Sequence, residues 1–221
     1  MKYKAILFDL DGTIIHTERF WQEATVQLMN KKPDACPILK QELSQKLIGR
    51  AIHESCQLIK DELNLLESIE ELMLEKETHA LNLYKNQITY LKGFEDFFQE
   101  AMNHGLKTAI ATNSTQKTLH AANEESKLHT FFGEHMYSIA AVGNKAKPNP
   151  DIFLYAAEKL QIDPSECLVI EDSITGVRAA KAANMFCVRI LSKENPHRES
   201  LADITVQEYC EIDLKNLLKL K

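Results

Sequence analysis

Ala5-Ile6-Leu7-Phe8-Asp9-Leu10-Asp11-Gly12-Thr13 is the stretch that decides the fold of this chain. Four consecutive apolar residues without alternation are the pattern of a short strand buried on both faces. The run then ends in two carboxylates two residues apart, followed by a glycine that permits a tight turn. Three more runs share this character: Thr108-Ala109-Ile110-Ala111, Leu168-Val169-Ile170 and Phe186-Cys187-Val188-Arg189-Ile190. Helical periods lie between them, as in Phe94, Phe97, Phe98, Ala101 and Met102, and again in Ile152, Phe153, Ala156, Ala157 and Leu160. Strands alternating with helices predict a doubly wound, Rossmann-like α/β domain on a parallel sheet.

One segment breaks the alternation. From about His16 to Ile88 the only periods are helical: Leu39, Leu43 and Leu47; Ile52, Cys56, Ile59 and Leu63; Ile69, Leu72, Met73, Ala80 and Leu83. Phe20, Trp21, Ala24 and Leu28 read as the packed stripe of its first helix, with a cleft-facing Trp21 as the alternative. The expected organisation is a discontinuous α/β core, residues 1–15 and 89–221, with an all-helical cap of residues 16–88 lying over one end.

The bulk numbers narrow the function. A chain of 221 residues, 44% apolar and 26% charged, can bury one large core or two smaller ones. Its apolar runs fall far short of the roughly 20 residues that span a bilayer. The amino-terminal run is too brief for a signal peptide. A cytoplasmic monomer without a membrane partner is expected. Five scattered cysteines, with no Cys-x-x-Cys pair, suggest neither a disulfide framework nor a zinc site. A net charge of −6 without a basic cluster disfavours nucleic acid.

In an open α/β sheet, ligands bind beyond the carboxyl ends of the strands. Asp9 and Asp11 follow the first predicted strand, Thr112-Asn113-Ser114-Thr115 the second, and Glu171-Asp172-Ser173 the third. Lys147-Pro148 precedes the helix that opens at Asn149-Pro150, and a cis bond there is expected to aim the lysine inward. Four acids, a lysine and a hydroxyl gathered at one sheet edge make sense around Mg²⁺, which prefers oxygen ligands. Metal and lysine together would neutralise a phosphate under attack by a carboxylate.

In order and spacing these groups resemble the four motifs of the haloacid dehalogenase superfamily. They are most similar to its β-phosphoglucomutase and phosphoglycolate phosphatase branch, which carries a helical cap between the first two motifs. The resemblance implies a phosphatase acting on a small phosphorylated metabolite. Asp9 is then the nucleophile, and Asp11 the acid/base and main-chain-carbonyl metal ligand. Asp172 is a metal ligand, and Glu171 joins the shell directly or through water. Thr112, Asn113 and Ser114 hold the phosphoryl group, and Lys147 bridges it to Asp9.

In the cap, Thr17, Gly49 and Arg50 are the expected substrate contacts, with a solvated helix-start residue the alternative for Arg50. Two positions that are lysine and arginine in β-phosphoglucomutase are Ile48 and Ile52 here, which favours hydrolysis over isomerisation. A phosphomutase and a noncatalytic binding protein of the same fold are the alternatives. His16 departs from the aspartate usual before a Thr-Glu pair, which bears on hinge hydrogen bonding.

Overall fold

The computed structural model describes residues 2–32, 39, 42–43, 46–47, 50–85, 87–191 and 201–219. The chain divides into two compact units, Met1–His16 with Thr89–Lys221, and Thr17–Ile88.

The first unit is built on a six-stranded sheet. Its strands are β1 (Ala5–Phe8), β2 (Lys107–Ala111), β3 (Met136–Tyr137), β4 (Cys167–Glu171), β5 (Phe186–Ile190) and β6 (Ile204–Val206). All neighbours pair in parallel, in the order β3-β2-β1-β4-β5-β6. β1 is therefore central, and the strand order reverses beside it, where doubly wound sheets place their ligand crevice. Every residue of β1 and β4 is buried, as the unalternating apolar runs require.

Alternate side chains on β1 feed two cores. Ala5 and Leu7 join Ala109, Val169 and Cys187 beneath α7 (Asp151–Leu160) and α8 (Ile174–Ala182). Phe8 points the other way, into an aromatic cluster with Phe94, Phe97 and Phe98 of α4 (Phe94–Asn103) and Phe132 of α6 (His129–Phe132). The two edge strands went unread in the sequence because each is two or three residues long, too short to show a period. The apolar run Ile139–Val142 is a 3₁₀ turn.

The second unit holds α1 (Glu18–Met29), α2 (Ile52–Leu63) and α3 (Ile69–Tyr84). A core of Leu28, Met29, Leu43, Leu47, Cys56, Ile59, Leu63 and Leu72 joins them. Ser68 starts α3 with a capping box: its hydroxyl accepts from the Glu71 N–H while the Glu71 carboxylate accepts from the Ser68 N–H. Trp21 corrects the expected stripe on α1. It is only half-buried, and its indole N–H donates to the Tyr84 hydroxyl at 3.1 Å, so the buried face is Phe20, Ala24, Thr25, Leu28 and Met29. A tryptophan at a core margin keeps its N–H where a partner can reach it. Among the described residues, no helix is long and apolar enough to cross a membrane. Cys56, Cys167 and Cys187 are buried free thiols and Cys210 an exposed one; Cys36 lies outside the described residues.

α3 also buries a charge. Lys76 stands one turn after Leu72 and one before Ala80, so it falls within the apolar stripe and is only 4% exposed. Burial lowers its ammonium from the ordinary 10.5 to about 8, with the Cys56 thiol opposing the shift. The unfolded chain therefore holds more protons than the folded one between pH 8 and 10.5, and stability rises with pH across that window. Below it, the buried charge costs about 3 kcal/mol. Lys76→Met should be more stable than the parent at pH 7 in urea titrations, and the gap should close as pH rises through the window. A gap independent of pH would contradict a buried ammonium.

Candidate active site

β1 delivers Asp9 to the carboxyl edge of the sheet, where the Asp9 N–H donates to the Ile170 carbonyl at 2.9 Å and continues the pairing with β4. The chain then turns sharply. Gly12 adopts φ 80°, which an L side chain resists, and its N–H reaches the Ile15 carbonyl at 2.9 Å. The main chain of the same turn is held by Tyr209, whose hydroxyl donates to the Thr13 carbonyl at 2.9 Å.

Lys147 lies at the centre of the site. It is only 3% exposed, and its Nζ sits 2.5 Å from Asp9 Oδ1 and 2.9 Å from Glu171 Oε1, with the Phe153 ring 4.6 Å away. Burial alone would disfavour the ammonium, but the Asp9 and Glu171 carboxylates outweigh it and hold its pKa above the ordinary value. Asn113 fixes the lysine's main chain, its Oδ1 accepting from the Lys147 N–H at 2.9 Å. The Lys147–Pro148 bond is cis, as expected.

Both oxygens of Glu171 are committed. Oε1 accepts from Lys147, and Oε2 accepts from the Ser173 N–H at 2.7 Å and the Ser173 hydroxyl at 2.9 Å. The Ser173 hydroxyl also caps α8 by accepting from the Gly176 N–H at 3.0 Å. Glycine is needed there because a Cβ on residue 176 would lie 1.7 Å from Glu171 Oε1.

Asp9, Glu171 and Asp172 each offer a carboxylate oxygen within 4.8 Å of the others, the one such group among the described residues. Burial pushes the pKa of the Asp9 carboxyl up, and Glu171 and Asp11 add to the rise against the pull of Lys147, so further positive charge here would favour its ionised form. A hard divalent cation with oxygen ligands suits this donor set.

The Asp11 carboxylate lies outside that group. Its Oδ2 accepts from the Ser114 hydroxyl at 2.6 Å. Thr112, buried just after β2, accepts the Ser114 N–H on its Oγ1 at 3.0 Å, leaving its own hydroxyl hydrogen available to donate. α5 (Gln116–Ser126) begins after Thr115, whose hydroxyl caps it by accepting from the Thr118 N–H at 3.1 Å.

Asp9, Lys147, Glu171 and Asp172 thus form one cluster, Asp11 and Ser114 a pair, and Asn113 a support for the lysine. The remaining expected contacts lie in the other unit. Thr17 is buried just before α1. Arg50 is exposed, donates from Nε to the Lys46 carbonyl at 2.7 Å and lies 3.8 Å from the Glu54 carboxylate. His16 and His53 are exposed and His79 is half-buried. Gly49 and Ile48 lie outside the described residues.

Two supporting residues were given no role by the sequence: Ser173, quoted only as part of its motif, and Arg189, which is fully buried with its Nε donating to the Asp172 carbonyl at 2.7 Å. A charged residue inside a strand buried on both faces was the available signal for Arg189.

Fold and site together define a doubly wound α/β protein with a buried lysine and an acidic cluster at the carboxyl edge of its sheet. Residues 3–184 match the family described as haloacid dehalogenase-like hydrolase. The chain is 32% identical over 219 residues to the bifunctional riboflavin kinase/FMN phosphatase of Arabidopsis thaliana, covering 95% of this chain and 54% of that protein. It therefore spans about half the length of that relative. It is also 27% identical over 247 aligned positions to hexitol phosphatase B of Escherichia coli, covering 97% and 96% of the two chains. The crystal structure of CbbY from Rhodobacter sphaeroides in complex with phosphate shares the fold, with a TM-score of 0.79, 24% identity and 96% of each chain covered. The chain belongs to the haloacid dehalogenase-like hydrolases, and its relatives support a phosphatase among them.

Gly176→Ala tests the packing under Glu171. The added methyl must displace a carboxylate that Lys147 and Ser173 both hold. Phosphate release should fall by about 10²-fold, the scale set by ångström-sized misplacement in an active site, while far-UV circular dichroism stays native. Parental turnover would show that Glu171 need not hold Lys147.

Proposed function

We propose that this enzyme hydrolyses small phosphomonoesters of the sugar phosphate or phosphoglycolate type through an aspartyl-phosphate on Asp9. The observation that carries the reading is the buried Lys147 ammonium bridging Asp9 and Glu171, with Asp172 in the same acidic group. Such an arrangement holds a nucleophilic carboxylate beside a fixed cation in a site short of positive charge. The phosphatase relatives point the same way.

An Asp9 carboxylate oxygen attacks phosphorus, and the bond from phosphorus to the ester oxygen breaks. Asp11 gives its proton to that leaving oxygen, so the product departs as an alcohol. Asp11 then takes a proton from water. The water oxygen attacks the phosphorus of the aspartyl-phosphate, the bond to Asp9 breaks, and inorganic phosphate leaves with Asp9 restored. Ser114 holds Asp11 for both transfers, the Thr112 hydroxyl donates to a phosphoryl oxygen, and Lys147 stays charged throughout. Asp9, Asp172 and the Asp11 main-chain carbonyl would hold Mg²⁺, with Glu171 acting through water because its oxygens are engaged. The ion would offset the negative charge of the phosphoryl group.

Hydrolysis is favoured over isomerisation by Ile52, which packs against the apolar core of the helical unit instead of supplying a cation for a second phosphate.

Asp9→Asn should abolish phosphate release while keeping the parental melting temperature to within a few degrees. Asp11→Asn should lower kcat by about 10²–10⁴-fold. Near-parental turnover in either variant would remove that residue from the mechanism. A panel of sugar phosphates, phosphoglycolate and nucleotides, assayed with and without magnesium, should show magnesium-dependent release from several monoesters. With β-glucose 1-phosphate and a bisphosphate primer, free phosphate should accumulate. Rapid formation of glucose 6-phosphate with little phosphate released would instead establish a mutase.

A further inference from the structure

Arg189 is the largest fully buried side chain among the described residues, and no step of phosphoryl transfer passes through it. A guanidinium keeps its charge at any pH the protein meets, so burying one is costly unless opposite charges stand close. β5 places Arg189 in register with Glu171 of β4. Its Nε donates to the main-chain carbonyl of Asp172 at 2.7 Å, behind the carboxylates that form the acidic group. The charges of Asp172 and Glu171 both favour its protonated form against the effect of burial. Lys147 already serves Asp9 and Glu171. Arg189 brings a second positive charge to the group from the Asp172 side.

We propose that Arg189 is the internal counter-charge of the ligand set, stabilising Asp9, Glu171 and Asp172 side by side before a divalent cation binds. This rests on the assignment of those acids to magnesium. Its consequence runs against the usual expectation for a residue beside a metal site. The metal-free enzyme is more stable with Arg189, and magnesium binds less tightly than it would to the same carboxylates without that charge. Repulsion between a fixed cation and a divalent ion in a buried cluster is worth at least about tenfold in affinity, even at an effective dielectric constant of about 20.

The test is thermal unfolding of the full chain over a magnesium titration for the parent, Arg189→Gln and Arg189→Lys. Glutamine keeps an N–H that can reach the Asp172 carbonyl but removes the charge; lysine keeps the charge. Arg189→Gln should melt below the parent without magnesium and gain more from it, with an apparent dissociation constant about tenfold or more smaller. Arg189→Lys should respond to magnesium as the parent does. An equal or smaller magnesium increment in Arg189→Gln overturns the proposal. So does failure of that variant to fold in saturating magnesium, which would make Arg189 a support for the whole fold. If the parent gains no stability from magnesium, the magnesium assignment itself falls and the counter-charge role with it. An intact parental response beside an unchanged variant increment defeats the counter-charge role alone.

Discussion

The structure of the site depends on one buried cation. An ammonium taken out of water is stabilised where carboxylates meet it at hydrogen-bond distance, and Lys147 has two of them, Asp9 and Glu171. That requirement fixes much else. Glu171 must be held, so Ser173 donates to it twice and Gly176 leaves it room. The lysine's main chain must be aimed, so Asn113 accepts its N–H. These supports come from separate loops, which is why the site exists only once the parallel sheet has brought its strand ends together.

The helical unit shows the opposite outcome of the same physics. Lys76 is as deeply buried as Lys147, yet its pKa falls while that of Lys147 rises. Burial acts on both in the same direction. The difference lies in the partners: two carboxylates face Lys147, whereas the opposing influence at Lys76 is the Cys56 thiol. The buried central strands β1 and β4, with their acids at the carboxyl ends, let the α/β unit carry a charged cluster beside its core.

Relatives at about a quarter to a third identity share this core, and the structural likeness to CbbY at 24% identity speaks for the fold alone. Fold does not by itself set function, because unrelated chemistry can be grafted on one scaffold. The family match and the phosphatase relatives narrow the reaction here. The substrate depends on groups that meet the rest of the molecule being cleaved, and motif spacing does not encode those.

Particular residues show what could be read without coordinates. β1 and β5 have the bounds expected of them, and β2 and β4 extend theirs by one and two residues, because an unalternating apolar run has few ways to be buried other than as a central parallel strand. The placing of Asp9, Asp11, Thr112, Glu171 and Asp172 at strand ends followed from the same pattern. The short edge strands were not legible, since two or three residues carry no period and their pairing comes from a neighbour distant in sequence. Nor were the assignments of individual oxygens. Only the folded chain decides that Glu171 spends both oxygens on Lys147 and Ser173, that Ser114 takes Asp11, and that Arg189 stands behind Asp172. Periodicity records which face of an element is buried, a property local to the chain. Which charged groups meet across 17 to 138 residues of sequence is set by sheet register and loop closure, and those belong to the tertiary structure.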